Sequence, residues 1–175
     1  MTGVQTCALP IFDDGHVSAA SPDQPGEVVD ASGCVITAGL INAHHHLLQS
    51  AFRTLPGTRF AVMSDWLGQM SAAYGRLRVD PELAAAAARV GLAESLLCGV
   101  TTVADHHLTW PAGIDPVELA GATIDSAAQS GARLVFVRGT ARDDPATATE
   151  SIAGIHDTYL AGAVGGVSDD GRLQL

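Results

Sequence analysis

Apolar runs alternate with helix-forming segments along most of the chain, and this alternation constrains the fold more than any other feature. The first run, at residues 35–46, ends in three histidines; the second spans 100–104 and the third 133–137. Helices are predicted between these runs, and a further strand begins at residues 172–175. Strands that are separated by helices form parallel sheets, so we predict an α/β protein.

Capping residues and apolar spacing predict the helices. Asp80 begins a helix that ends at Gly99, and Asp115 begins a second that stops near Gly131. A capping box at residues 147–150 is predicted to begin a third helix. The spacing that predicts the first helix runs through Leu83, Ala87, Val90, Glu94 and Leu97.

Polar residues follow every predicted strand, at 44–46, 105–107 and 138–140. A doubly wound sheet is one possible arrangement, but no glycine-rich phosphate loop follows the first strand. A (β/α)8 barrel carries its sites at the carboxyl ends of its strands. We therefore predict that residues 35–175 form the N-terminal part of a TIM barrel, comprising strands 1–3 and the start of strand 4.

The three consecutive histidines predict a metal site. Side chains alternate between the two faces of a strand, so His44 and His46 share one face while His45 points to the other. Two imidazoles on one face can chelate one divalent ion. The competing interpretation is that these histidines are hydrogen-bonded or solvated residues at a strand end.

Residues 39–46 resemble the first-strand signature of the amidohydrolase superfamily, although that family usually has Pro-Gly where this chain has Ala38 and Gly39. The resemblance implies that His44 and His46 bind one divalent metal ion; zinc is favoured, while iron and manganese also accept imidazole. Residues 44–50, 65–67 and 92–106 are most similar to the nucleobase and triazine deaminases, in particular 8-oxoguanine deaminase and hydroxyatrazine hydrolase-like members. The likeness covers residues 27–140.

This resemblance implies a hydrolase that releases ammonia or amine from an 8-oxoguanine-like or guanine-like purine or from a triazine. An amidase or imidase of the same superfamily remains an alternative, as does a non-catalytic α/β binding module with incidental histidines. The resemblance implies that the remaining metal ligands and the catalytic carboxylates follow Leu175. We therefore expect this chain to be inactive alone.

Four side chains are candidates for substrate contact, and Asp105 is a candidate for orienting a neighbouring imidazole. An amide both donates and accepts hydrogen bonds, which suits a ring edge, although a solvated loop glutamine is the alternative for Gln49. Residues 47–67 are predicted to form a long excursion that could roof a pocket, with Trp66 covering an aromatic substrate or packing on its own neighbours. The four candidates are Gln49, Trp66, His106 and Arg138.

The first 34 residues are predicted to contribute little to the barrel. Residues 1–11 resemble a translated sequencing adapter and are excluded from fold reasoning, which implies a truncated start. Residues 12–34 are rich in Asp, Gly, Ser and Pro. By the resemblance, they are the remnant of a small β-domain.

Composition limits the partners. With 19 acidic and 9 basic residues, the net charge is −10, which argues against nucleic acid and against anionic membranes as partners. No apolar stretch reaches the roughly 20 residues of a membrane span, so a soluble cytoplasmic protein is expected. Cys34 and Cys98 are expected to be reduced and buried. A small heterocyclic substrate is the expected partner, and a homo-oligomeric full-length protein stays an open alternative.

Overall fold

The computed structural model describes residues 11–13, 16–18, 26–141 and 145–175, which fall into two units that meet between Thr37 and Ala38. In the first unit, β1 (Ile11–Asp13) and β2 (His16–Ser18) pair in antiparallel orientation. Residues 1–10 of the adapter-like segment lie outside the described residues. The domain boundaries predicted after residues 11 and 34 stay predictions.

The second unit has the predicted alternation of strands and helices. Its described strands form one parallel sheet in the order β3-β4-β5-β6. The prediction of a parallel α/β fold is therefore confirmed. The elements in chain order are β3 (Leu40–His45), a 3₁₀ helix (Leu47–Phe52), α1 (Met63–Arg76), α2 (Pro81–Leu97), β4 (Val100–His107), α3 (Pro116–Ser130), β5 (Arg133–Arg138), α4 (Pro145–Tyr159), a short 3₁₀ turn (Val164–Gly166) and β6 (Leu173–Gln174).

The main core lies between one face of the sheet and the helices. Val103 of β4 and Leu134 and Phe136 of β5 are at most 2% exposed, and they pack with Ala88 and Leu92 of α2. Burial alternates along both strands, so the residues between these are only partly covered. His106 belongs to that second set and lies on the opposite face from the core.

Side-chain caps begin two of the helices. The Asp80 carboxylate accepts a hydrogen bond from the Leu83 N–H at 3.0 Å, and the Asp115 carboxylate accepts one from the Val117 N–H at 2.8 Å. α3 ends at Gly131, whose φ of 76° is the left-handed conformation that glycine adopts without strain. The predicted boundaries of α2 and α3 are therefore confirmed.

The predicted long loop at residues 47–67 is wrong, because residues 47–52 and 63–67 are helical. The 3₁₀ helix follows the histidines directly, and α1 contains Trp66. Trp66, Met70 and Ala73 recur at helical spacing and pack into a second apolar cluster, together with Phe52. Burial of this stripe explains why the segment is ordered as a helix rather than as an open loop.

Two helix details also differ from expectation. Apart from Leu92, the buried face of α2 consists of small residues, namely Ala84, Ala87, Ala88, Gly91 and Ser95. Val90 and Leu97, which were expected to be on the apolar face, are 48% and 88% exposed. α4 begins at Pro145 rather than at the predicted capping box, so residues 147–150 lie in its first turns. Proline is favoured at a first helical position because it needs no N–H partner there.

Both cysteines of the described residues are exposed, so the expectation that they are buried is wrong. Cys98 caps the carboxyl end of α2, where the chain turns into β4 through Gly99. Cys34 lies in the irregular segment before β3. Neither position faces an apolar layer.

Membrane insertion finds no support in the helices. None of those formed by the described residues combines the length and apolar character needed to cross a bilayer.

We expect Asp80→Ala to lower the free energy of unfolding by about 1 kcal/mol, because it removes the α2 N-cap. Urea unfolding followed by circular dichroism measures this change. Asp80→Asn is the matched control, since an asparagine oxygen accepts the same N–H bond. Equal losses in the two variants would show that the cap contributes nothing specific.

Candidate metal centre and adjoining cavities

His44 and His46 direct their imidazoles to the same place. Their Nε2 atoms are 3.3 Å apart. Two nitrogens bound to a tetrahedral zinc at about 2.0–2.1 Å lie about 3.3 Å from each other. The pairing of β3 with β4 is irregular between Asn42 and His45, so strand alternation alone does not set this geometry. The pair fits one divalent ion.

A hydrogen bond fixes the tautomer of His46. Its Nδ1 lies 2.6 Å from the backbone carbonyl oxygen of His106. A carbonyl can only accept, so Nδ1 carries the proton and Nε2 keeps its lone pair, which is the form that binds a metal. The His106 ring, 4.1 Å from the His44 ring, lowers the pKa of His44, as do desolvation and His46. A lowered pKa favours the neutral imidazole.

Two ligands make only part of a catalytic metal site. Such zinc sites usually have three protein ligands. Within the described ranges, no group of three or more His, Cys, Asp or Glu side chains is arranged to hold a metal ion. His44 and His46 would therefore share the ion with groups that this part of the protein does not supply.

Asp105 secures the backbone that follows His46. Its Oδ1 accepts a hydrogen bond from the Leu47 N–H at 2.7 Å, and the residue is 1% exposed. The Oδ2 atom has no partner among the described residues. Burial raises the pKa of Asp105 to about 7. The Asp105 carboxylate thus holds a backbone amide, and a role for it in orienting an imidazole stays a prediction.

His107 belongs to the helix-facing side of β4. It is 3% exposed, donates a hydrogen bond from Nε2 to the Thr109 carbonyl at 3.0 Å, and stacks on Phe136. Burial is the main reason that its pKa is lowered to about 4. His106 and His107 thus face opposite sides of the sheet, as alternation requires.

Two cavities share a wall beside the histidine pair, with volumes of about 350 and 320 Å³. Both volumes fall within the range of small-molecule sites. The first is lined further by polar groups from Ser50, Arg53 and Thr58, and the second by apolar groups from Met63, Leu67 and Leu108. The shared wall consists of His44, His46, Gln49, Trp66 and Met70.

The predicted site residues divide into two sets. Gln49 and Trp66 line both cavities and His106 lines the second, so all three lie beside the histidine pair. Arg138 lines neither cavity. It is 8% exposed on the helix side of β5, donates from Nε to the Ser151 hydroxyl at 2.8 Å, and covers the ring of Trp110. The structure does not support substrate contact by Arg138.

Several contacts escaped the sequence interpretation. Two hydrogen bonds depend on how β3 and β4 pair, which no short motif encodes. One runs from the His46 ring to the His106 carbonyl, and the other from the Leu47 N–H to the Asp105 carboxylate. Arg53 forms an ion pair with Glu94 of α2. The spacing that placed Glu94 among apolar residues did not reveal this partner, because Val90 and Leu97 of that spacing are exposed, as is Glu94 itself.

Residues 35–171 match the Amidohydrolase family, and the chain belongs to this family. Its parallel strands and helices are therefore part of the amidohydrolase barrel, which confirms the predicted (β/α)8 fold.

Relatives within this family include deaminases and a triazine hydrolase. An isoxanthopterin deaminase from an unknown prokaryotic organism is 36% identical over 126 residues, covering 71% of this chain and 26% of that protein. The 8-oxoguanine deaminase of Pseudomonas aeruginosa is 31% identical, covering 74% of this chain and 29% of that protein. The crystal structure of atrazine chlorohydrolase from Arthrobacter aurescens, complexed with zinc, aligns with a TM-score of 0.62 and 28% identity over 78% of this chain and 33% of its own. The chain thus spans between about a quarter and a third of these relatives.

Asp105 and His107 should give opposite pH dependences of stability. Between about pH 4 and 7 the folded state keeps the Asp105 proton that the unfolded chain has lost, so Asp105 makes stability fall as pH rises. Between pH 6.5 and about 4 the unfolded chain protonates His107 and the folded state does not, so His107 makes stability fall as pH falls. Compared with wild type, Asp105→Asn should therefore show stability rising more steeply with pH in this window, and His107→Gln should show the reverse.

Urea midpoints from pH 4 to 7 measure both slopes, and the other titrating groups cancel in the comparison with wild type. If both variants shift the slope in the same direction, the two burial effects do not operate as described.

Proposed function

We propose that the protein is a metal-dependent hydrolase of C–N bonds that deaminates an aminated heterocycle. The observation that carries this proposal is the convergence of His44 and His46 on one point beside a cavity wall containing Gln49 and Trp66. Relatives named as isoxanthopterin deaminase and 8-oxoguanine deaminase favour deamination over amide or imide hydrolysis. The histidine geometry argues against a binding module with incidental histidines.

The metal would be held by the Nε2 atoms of His44 and His46, and zinc is the proposed ion because a structural neighbour contains it. When bound, a divalent ion provides hydroxide at neutral pH by lowering the pKa of water from about 15.7 to about 7. The His106 carbonyl keeps the His46 proton on Nδ1, which leaves Nε2 available. Asp105 and Leu47 hold the strand end in place.

The proposed substrate is a flat ring of the purine, pterin or triazine class. Trp66 offers an aromatic face beside the histidine pair, and the Gln49 amide can donate to a ring carbonyl or nitrogen and accept from a ring N–H. His106 faces the second cavity and is a further hydrogen-bonding group. Together these side chains suit a planar heterocycle with alternating donors and acceptors along its edge.

A substrate panel tests the proposal on the full-length gene product. Ammonia or amine release is measured with isoxanthopterin, 8-oxoguanine, guanine, cytosine and hydroxyatrazine. Hydantoin is tested alongside as an imide, and its ring opening is followed by chromatography because this hydrolysis releases no ammonia. Turnover of at least one aminated ring supports deamination. Hydrolysis of the imide alone would assign the protein to the amidase alternative.

We expect His44→Ala and His46→Ala each to lower the kcat/KM of the full-length protein by at least about a thousandfold, because a metal-site ligand is lost. Metal content, measured by elemental analysis of the purified protein, should fall with it. His156→Ala, on the exposed side of α4, is the matched control and should keep both values. Unchanged metal and activity in the two site variants would refute the metal assignment.

The 175-residue chain should lose zinc on dialysis against metal-free buffer and should release no ammonia from the panel, because its described residues offer two imidazole ligands. The full-length protein should retain the ion under the same dialysis. Tight zinc binding by the chain alone would mean that further ligands lie within it.

A further inference from the structure

The 3₁₀ helix presents two columns of side chains, one of which packs against α2. In a 3₁₀ helix, residues three apart are aligned above one another. Leu47, Ser50 and Arg53 therefore form one column, with Arg53 directly after the last helical residue. A second column contains Gln49 and Phe52, continuing the line of His46. The first column contacts α2, and its Ser50 and Arg53 also border the first cavity. Gln49 of the second column lines both cavities beside the histidine pair.

Contact with α2 is close because position 91 is a glycine. A Cβ atom at Gly91 would lie 2.7 Å from the Leu47 Cδ2 atom and 2.7 Å from the Ser50 Oγ atom, closer than real contacts allow. Leu47 is 1% exposed and belongs to the main core, so its side chain has little room to move. A Cβ at position 91 would therefore displace the Ser50 hydroxyl and the Leu47 side chain, and because buried Leu47 has little room to rotate, its displacement would move the 3₁₀ helix relative to α2.

A second contact lies one helical turn further along α2. Glu94 follows Gly91 by three residues, so both residues lie on the same side of α2. The Glu94 carboxylate forms an ion pair with the Arg53 guanidinium, which also lies 3.4 Å from the Ser50 hydroxyl. Gly91 and Glu94 together hold the whole first column; we call this contact the α2 seat.

Both columns belong to one short helix, so a shift of the first column at the α2 seat would also move Gln49 of the second column in the cavity wall. The Gln49 N–H donates to the His46 carbonyl at 2.9 Å, so the helical turn that carries Gln49 begins at His46. His46 itself is held by β4 through its ring and the following amide. A side chain at position 91 would therefore rotate the 3₁₀ helix about its end at His46 and change the position of the Gln49 amide.

We propose that the α2 seat, formed by Gly91 and Glu94, is a positioning device that sets the reach of Gln49 towards the heterocyclic substrate. This inference rests on the proposed function. Neither Gly91 nor Glu94 lines a cavity, so both act through the 3₁₀ helix.

The test compares Gly91→Ala with Gln49→Ala in the full-length, zinc-loaded enzyme. Loss of one neutral hydrogen bond to substrate corresponds to a rise in KM of about five- to tenfold, and we expect this rise in each single variant. Zinc content and kcat should stay within about twofold of wild type, because the bound end of the helix does not move. In the double variant KM should equal that of Gln49→Ala alone, because Gly91 acts through Gln49.

Gly68→Ala is the matched control, since a Cβ at this α1 glycine meets no atom within 4 Å. It should leave KM unchanged. An unchanged KM in Gly91→Ala, or multiplied effects in the double variant, would overturn the proposal. If the wild-type enzyme deaminates no ring compound, the proposed function fails instead, so the two failures are distinguishable.

Glu94→Gln keeps the test decisive if Gly91→Ala does not fold, because Glu94 is exposed and its loss leaves the core intact. It weakens the seat without adding volume, so KM should rise by about two- to threefold, and this rise should vanish in the Gln49→Ala background. Glu150→Gln, on the exposed surface of α4, is its control and should behave as wild type. A KM equal to wild type in Glu94→Gln would overturn the role of the ion pair.

Discussion

The attachment of His46 to β4 is the interaction on which the rest of the site depends. The imidazole donates to the His106 carbonyl, and the next backbone amide donates to the Asp105 carboxylate. Both bonds come from adjacent residues of one strand, so the pairing of β3 with β4 places ring and backbone together. The 3₁₀ helix begins from this anchored point, and it carries Gln49 into the cavity wall.

This attachment has a cost in stability. Asp105 is buried with one carboxylate oxygen that has no partner in the part of the chain that the structure describes, and His107 is buried two residues later, where burial lowers its pKa to about 4. Buried polar groups without full hydrogen bonding destabilise a fold by roughly 1–3 kcal/mol each. The apolar layer around Phe136 and Leu92 offsets that loss. The carboxyl end of β4, next to the residues of the candidate site, is thus a point at which buried polar groups destabilise the fold.

Local signals made the strands and two helix starts predictable, because apolar patterning and capping depend on neighbouring residues. The histidines were predicted to share a face from strand alternation, but their observed geometry also depends on the irregular pairing of β3 with β4. The helix at α1 and the buried face of α2 depended on tertiary contact: alanine and glycine carry little hydrophobic signal, yet they are buried where elements approach closely. Arg138 could have been placed correctly. It has the same parity as Leu134 and Phe136, so an apolar strand pattern already indicated the helix side. Asp105 shares the parity of Val103 in the same way.

The three-residue repeat of the 3₁₀ helix links two layers of the protein that are usually considered separately. Because one column packs against α2 while Gln49 of the other borders both cavities, the proposed positioning implies that a substitution in α2 alters the cavity wall without contacting His44 or His46. Under the proposed function, substitutions in the helices that pack on the sheet would then be able to change the preferred ring substrate while leaving the proposed metal ligands in place. Families that share one metal chemistry could diversify in substrate through such indirect changes.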